Sequence, residues 1–233
     1  MRGQVPRQLV FDLPLRAASG LGDFLVSQSN AAAVELIDRW PDWPQPAALL
    51  AGAAACGKTH LASVWQGQSG AALIAAQTLT DAAVSEFQRD GVRALVVEDI
   101  DRGIGDQRVL FHLLNLAHET RRFVLLTSRI APGDLDVALP DLRSRLRALP
   151  VIAIAPPDDA LLGAVLVKLF ADRQIGVEPA VISYLIRHMD RSMEAARWVV
   201  ARLDALSLAR RRKVTRPLAA EALAGVPHPG HAK

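Results

Sequence analysis

Cysteine is nearly missing from this chain of 233 residues: Cys56 stands alone. That excludes a disulfide framework within the chain and fits a reducing, cytoplasmic compartment. Aromatic residues make up only 5%, with a single tyrosine, and no second basic or aromatic platform for DNA stands out. No run of eighteen apolar residues exists, so no membrane span is expected. Polar and basic breaks in the first twenty residues argue against a signal peptide. The histidines and the cysteine lack metal-binding spacing, so zinc is not expected. Neither sign of charge dominates. A net +3 and a pI near 9.5 are too mild by themselves to argue for nucleic acid. Apolar residues, by contrast, make up 51%, enough for one large domain or two small ones.

The most informative stretch is Gly52-Ala53-Ala54-Ala55-Cys56-Gly57-Lys58-Thr59. It fits Gly-x-x-x-x-Gly-Lys-[Ser/Thr], with the apolar run 47–50 before it and the helix-compatible 60–65 after it. In that setting, backbone N–H groups of the loop and of the helix start point at phosphate oxygens. Lys58 is expected to reach the β- and γ-phosphates, and the Thr59 hydroxyl to sit on Mg²⁺. Ala55 occupies a position where many such loops carry a further glycine, which narrows the backbone freedom there. His60 is in reach of phosphate in principle, although a helix position facing the core or the second strand is the expectation.

The rest of the chain reads as strand and helix in alternation. A helix is expected over 30–40, capped by Ser29 or Asn30, followed by a rigid Trp-Pro-Asp-Trp-Pro-Gln-Pro connection over 40–46. Strands are expected at 47–51, 71–76, 94–99, 122–128 and 151–154, with helices at 58–66, 81–89, 106–119 and 139–146. This alternation implies an α/β fold with a parallel five-stranded sheet and helices on both faces. After Pro156-Pro157 the pattern holds only helices, at 158–174, 178–188, 191–210 and 216–224, which implies a small all-helical lid domain. The chain thus divides into an extended tail at 1–22, an α/β domain at 23–155, a lid at 156–224 and a Pro/Gly/His tail at 225–233, read as disordered. Two histidines on the fourth helix, His112 and His118, read as ordinary helix residues, and Trp198 as lid core. The basic run Arg210-Arg211-Arg212-Lys213 reads either as a DNA or partner contact or as the cationic end of a helix, and the helix end is preferred.

A second chemical element lies about forty residues past the loop. Val96-Val97-Glu98-Asp99-Ile100-Asp101 places acids at the C-terminal end of a buried strand, where ligands sit in open α/β sheets. Glu98 and Asp99 suit a Mg²⁺ ion and the positioning of an attacking water. Successive strand side chains point to opposite faces, so both acids serve one phosphate only if the strand end bends.

These motifs together resemble the AAA+ ATPases, and within them the DnaA branch and its short Hda-like regulators. The resemblance covers about residues 8–224. It is carried by Asp23 to Asn30, by Gly57-Lys58-Thr59-His60-Leu61, by Leu126-Thr127-Ser128 with Ala131-Pro132, by Leu139 to Leu146, and by Asp190-Arg191-Ser192-Met193. It implies an AAA+ core with a helical lid that binds ADP or ATP with Mg²⁺. Phe24, Val26 and Asn30 fall in the segment that packs against adenine in the family. Gly52, Ala55, Cys56, Gly57, Lys58, Thr59 and His60 fall in the phosphate loop. The resemblance makes Arg145 the arginine finger, with Arg143 as fallback, reaching ATP held by a DnaA initiator. Only some twenty residues follow Arg212 and about twenty precede the core, so neither a DNA-box-binding domain nor an N-terminal interaction domain is expected.

The resemblance also implies a sliding-clamp motif of the Gln-Leu-x-Leu-Pro-Leu type, built from Gln8, Leu9, Phe11, Leu13, Pro14 and Leu15. Its register is open: it starts at Gln8-Leu9-Val10-Phe11, or ends at Leu13-Pro14-Leu15 with an insertion between; the other reading of Leu9, Phe11 and Leu13 is a strand edge packed on the protein's own core. DNA contact is then indirect, through the clamp, and assembly with other copies is expected because AAA+ sites form between subunits. The sensor positions depart from the family pattern. Arg129 stands at sensor 1, where Asp is common, and Glu194 near sensor 2, where Arg is usual; Arg191 or Arg197 is the substitute. These departures argue against strong autonomous hydrolysis. The alternative reading is an autonomous ATPase of the helicase-loader type, acting on a replicative helicase and single-stranded DNA.

Overall fold

The computed structural model describes residues 15–16 and 24–224. Two short strands, β1 (Leu15–Arg16) and β2 (Phe24–Leu25), pair with each other. The helix α1 (Ala31–Asp38) follows. The main sheet holds β3 (Ala47–Ala51), β4 (Ala72–Ala75), β5 (Ala94–Glu98), β6 (Phe123–Ser128) and β7 (Val151–Ala153) in the order β4-β5-β6-β3-β7. All four pairings are parallel, as βαβ connections require. The connecting helices are α2 (Lys58–Ser69), α3 (Asp81–Gln88), α4 (Gln107–Thr120) and α5 (Pro140–Arg147). The fold is therefore α/β, with a five-stranded parallel sheet.

Both faces of the sheet are covered, and the period-2 alternation of the strands sorts them into two cores. Leu49, Leu95, Val97, Val124 and Leu126 pack with α3, α4 and α5. Ala48, Leu50, Ala94, Val96 and Leu125 pack with α1 and α2. Glu98 follows Val96 by two residues, which places it on the α2 side of the sheet. The Trp-Pro connection is more than a rigid spacer, because its tryptophans complete the α2-side core. Trp43 stacks on the fully buried Trp65 at 5.0 Å, and Trp40 meets that ring edge-on at 6.4 Å. The Trp43 indole N–H donates to the Leu36 carbonyl at 2.6 Å.

The chain divides into two compact units, the first running from Arg16 to Pro156 and the second beginning at Pro157. Among the described residues the second unit is all helix: α6 (Asp159–Asp172), α7 (Pro179–His188), α8 (Met193–Arg210) and α9 (Arg216–Ala224). Caps set its boundaries. Asp158 accepts from the Leu161 N–H at 2.8 Å and Ser192 from the Ala195 N–H at 3.0 Å, so α8 begins two residues later than the pattern of the sequence suggests. Leu162, Leu166, Phe170, Leu185, Val199 and Leu203 form its core, with Trp198 packed against the edge. No described helix is long and apolar enough to cross a membrane.

Candidate functional site

The register of the sheet brings three loops to one edge. Ala51 at the end of β3 lies opposite Ser128 at the end of β6, and Val97 of β5 lies opposite Leu126 of β6. The Gly52 N–H donates to the Ser128 carbonyl at 3.1 Å, which ties the start of the phosphate loop to the end of β6.

Backbone geometry in the loop explains its residue types. A Cβ on Gly52 would lie 2.5 Å from the Ile154 carbonyl oxygen and 2.8 Å from the Cys56 sulfur, so only glycine fits. Gly57 has φ of 114°. Ala55 has φ of 56°, a left-handed conformation that explains why related loops favour glycine there. Cys56 is buried against Gly52 and serves as packing. Lys58 is buried, and its ammonium donates to the carbonyls of Gly52 at 2.6 Å and Ala53 at 2.8 Å. The cation is thus already anchored inside the loop. The N-cap of α2 is Gly57, which offers no side chain to the N–H groups of the first turn. That arrangement suits a phosphate.

Thr59 and His60 are exposed. The core-facing expectation for His60 is overturned: the buried stripe of α2 runs through Lys58, Leu61, Ala62 and Trp65, and His60 falls beside it.

At the end of β5 the strand does bend. Asp99 has φ of 57°, which aspartate tolerates better than most residues. Its N–H donates to the Thr127 hydroxyl at 3.0 Å, and its carboxylate pairs with Arg102 at 3.3 Å. Glu98 holds a buried Oε1 with no protein partner, an acceptor of the kind that a metal or a water satisfies. Among the described residues no group of three or more His, Cys, Asp or Glu could hold a metal. Mg²⁺ ordinarily takes only one or two carboxylates beside substrate oxygens, so Thr59 and Glu98 fit such an ion.

Arg129 does not stand alone. Its N–H and its guanidinium reach the two carboxylate oxygens of Asp101, at 2.9 and 2.6 Å. Burial pushes the Asp101 carboxyl up, but the hydrogen bonds and charge of Arg129 outweigh it and hold the group below its usual value. Arg129 is raised in turn, chiefly by the hydrogen bond to Asp101.

Arg145, on α5, is half-buried and donates to the side-chain amide of Asn115 on α4. Arg143 is exposed and donates to the Val137 carbonyl at 3.0 Å. Asn30 is buried; its amide accepts from the Ser27 N–H at 2.9 Å and donates to the Leu25 carbonyl at 3.0 Å, which ties down the turn before α1. Val26 is half-buried in the same segment, and Phe24 belongs to β2. In the helical unit, Arg191 precedes α8 and pairs with Asp159, Arg197 is exposed on α8, and Glu194 is in its first turn. Leu15 belongs to β1, while Gln8, Leu9, Phe11, Leu13 and Pro14 lie outside the described residues.

Sequence reasoning missed three partners: Thr127, Asp101 in its pairing with Arg129, and Asn115. A faint signal existed for two of them. Thr127 is a polar residue in a buried strand, and Asn115 interrupts the run Leu113-Leu114-Asn115-Leu116.

Residues 159–223 match the family model described as Hda, lid domain. The chromosomal replication initiator protein DnaA of Cutibacterium acnes is 29% identical over 128 residues, which cover 53% of this chain and 26% of that protein. The chain thus spans about a quarter of the length of that curated relative. Domain III of the Thermotoga maritima replication initiation protein DnaA superposes with a TM-score of 0.72 at 21% identity, covering 86% of this chain and 93% of that one. AMPPCP-bound DnaA from Aquifex aeolicus gives a TM-score of 0.66 at 19% identity, covering 79% of this chain and 64% of that one.

Proposed function

We propose that this chain is a DnaA-related AAA+ protein close to Hda, and that it regulates replication initiation by stimulating hydrolysis of ATP bound to a DnaA initiator. The observation that carries the reading is the match of its helical unit to the Hda lid. In this reading the chain binds ADP or ATP through Gly52 to Thr59, with Lys58 on the phosphates. Thr59 and Glu98 would hold Mg²⁺, and Asp99 at the bend would position the attacking water. Phe24, Val26 and Asn30 shape the adenine side. A DnaA-like neighbour that carries AMPPCP supports a nucleotide here.

The catalytic group this chain supplies is Arg145. Its guanidinium cannot lose its charge, and it stabilises the negative charge that builds on the γ-phosphoryl oxygens as water attacks and ADP leaves. Asn115 acts as a positioning residue, holding that side chain before the partner arrives. Gln8, Leu9, Phe11, Leu13, Pro14 and Leu15 anchor the chain to the sliding clamp in the pocket-filling mode of short apolar motifs.

One reconstituted assay tests the reading, with DnaA-ATP, clamp loaded on DNA, and this protein. Arg145→Ala is expected to slow DnaA-ATP hydrolysis by about 10³-fold, the usual worth of an arginine finger, and to leave clamp binding intact. Gln8→Ala with Leu9→Ala is expected to abolish clamp binding. Hydrolysis undiminished in Arg145→Ala would sink the finger assignment. Turnover that needs only this protein and Lys58 would favour the autonomous ATPase instead.

A further inference from the structure

Residues 157–224 contain eleven Lys and Arg against eight Asp and Glu, so the whole formal surplus of the chain, +3, belongs to this unit. The excess is concentrated where α8 turns into α9. Arg211 ends α8 in a left-handed conformation, φ 50°, and the reversal is locked by the Arg212 N–H on the Ser207 carbonyl at 3.1 Å and the Ser207 hydroxyl on the Arg212 carbonyl at 2.6 Å. Arg211, Arg212, Lys213 and Arg216 are all exposed. Among the described residues no carboxylate pairs with Arg211, Arg212 or Lys213, whereas Arg210 is neutralised by Glu221 at 2.6 Å.

Helix stability accounts for only part of these charges. Arg210 already serves the last turn of α8. Arg216 opens α9, whose first turn has no acid, so a cation sits at the end of the helix dipole that disfavours it. Beside this turn stands an aromatic pair from α7. Tyr184 and His188 stack at 4.2 Å with 23° between the rings, and the Arg216 guanidinium lies 5.4 Å from the Tyr184 ring. The sequence shows no such platform because its parts are separated by some thirty residues.

We propose that the α8–α9 turn, with the Tyr184–His188 pair beside it, is a nucleic-acid-binding surface that grips the phosphate backbone of DNA. Backbone contact needs several mobile cations facing solvent, and an adjacent ring pair offers a stacking face to an unpaired base. The contact is made by the protein itself, in addition to any DNA brought near by a clamp. It does not depend on Arg145 or on the tail.

The test is fluorescence anisotropy of the full chain with a labelled single strand and with the matching duplex, from about 50 to about 200 mM salt. The triple variant Arg212→Glu, Lys213→Glu, Arg216→Glu is expected to bind at least about tenfold more weakly and to reduce the salt slope by about three. Glu221→Gln, which releases Arg210, is expected to tighten binding severalfold. His188→Ala separates the two forms of DNA: weakened single-strand binding alone assigns the ring pair to an unpaired base, and unchanged binding of both assigns the surface to the backbone of either. Unchanged thermal melting of the triple variant shows that its fold persists, and Glu221→Gln provides a gain that misfolding cannot imitate. A parent that binds neither form at about 50 mM salt, or a triple variant with parental affinity and slope, overturns the proposal. So does a triple variant that keeps its DNA affinity but loses stimulation of DnaA-ATP hydrolysis without DNA, which assigns the surface to a protein partner. Arg145→Ala leaves DNA binding unchanged, so this proposal and the proposed function fail separately.

Discussion

Lys58 and Asp101 show how single residues at this edge are satisfied without a ligand. Lys58 is a buried cation that turns its ammonium onto two loop carbonyls, so a phosphate entering the loop meets a charge already held in place. Asp101 is a buried carboxylate matched by Arg129. Because its folded pKa lies below the unfolded one, near 3.9, its stabilisation is fully present above that value and is lost as the pH falls through the folded one. Arg129 remains partly exposed, so solvent screens the pair and its worth is about 1 kcal/mol. Asp101→Asn is therefore expected to lower the melting temperature at neutral pH by a few degrees and to converge on the parent in acid. Melting curves of the two proteins across that range check the convergence. A deficit that persists in strong acid would mean the pair is not its cause. The resemblance identifies Arg129 as a departure at one position; in the structure that residue is paired with Asp101.

Among the elements, α8 has the clearest local logic. Ser192 caps it through the Ala195 N–H, and Glu194 in the first turn favours the dipole. Ser192→Ala is expected to destabilise the helical unit by about 1 kcal/mol, read as faster amide exchange in the first turn of α8 with little change in the sheet. Equal acceleration in the sheet strands would show that the two units unfold together. The strands illustrate a different limit. Each reads as a short apolar run because both faces are covered, and the run itself does not reveal which residues share a face with α2. The two cores resolve this: Val96 points toward α2, and Glu98 follows it there.

At the scale of the molecule, the proposed function predicts nucleotide binding that does not require rapid turnover. Titration with ADP and ATP by calorimetry is expected to show one site per chain. Lys58→Met is expected to abolish it while leaving the melting curve near the parent's. Binding by Lys58→Met at parental affinity would remove the loop from the nucleotide site.

The order of strands and helices in the main sheet and the helical unit, the glycine-bearing loop between β3 and α2, and the acidic end of β5 were legible in the chain. Each rests on local chemistry: β-branched and apolar runs, caps, and glycines at φ or contacts that only glycine accepts. His60 departs from its expectation, and the packing of Trp40 and Trp43 is not visible locally, because their surroundings are set by residues distant in sequence. The sequence by itself determined that this is an α/β chain with a P-loop followed by an all-helical unit. Only the tertiary structure decided that Asp99 bends the strand end, that Asp101 answers Arg129, that Asn115 holds Arg145, and that Tyr184, His188 and Arg216 meet beside the basic turn. Parallel pairing and helix packing bring together groups some thirty residues apart, and no local pattern in the chain encodes that proximity.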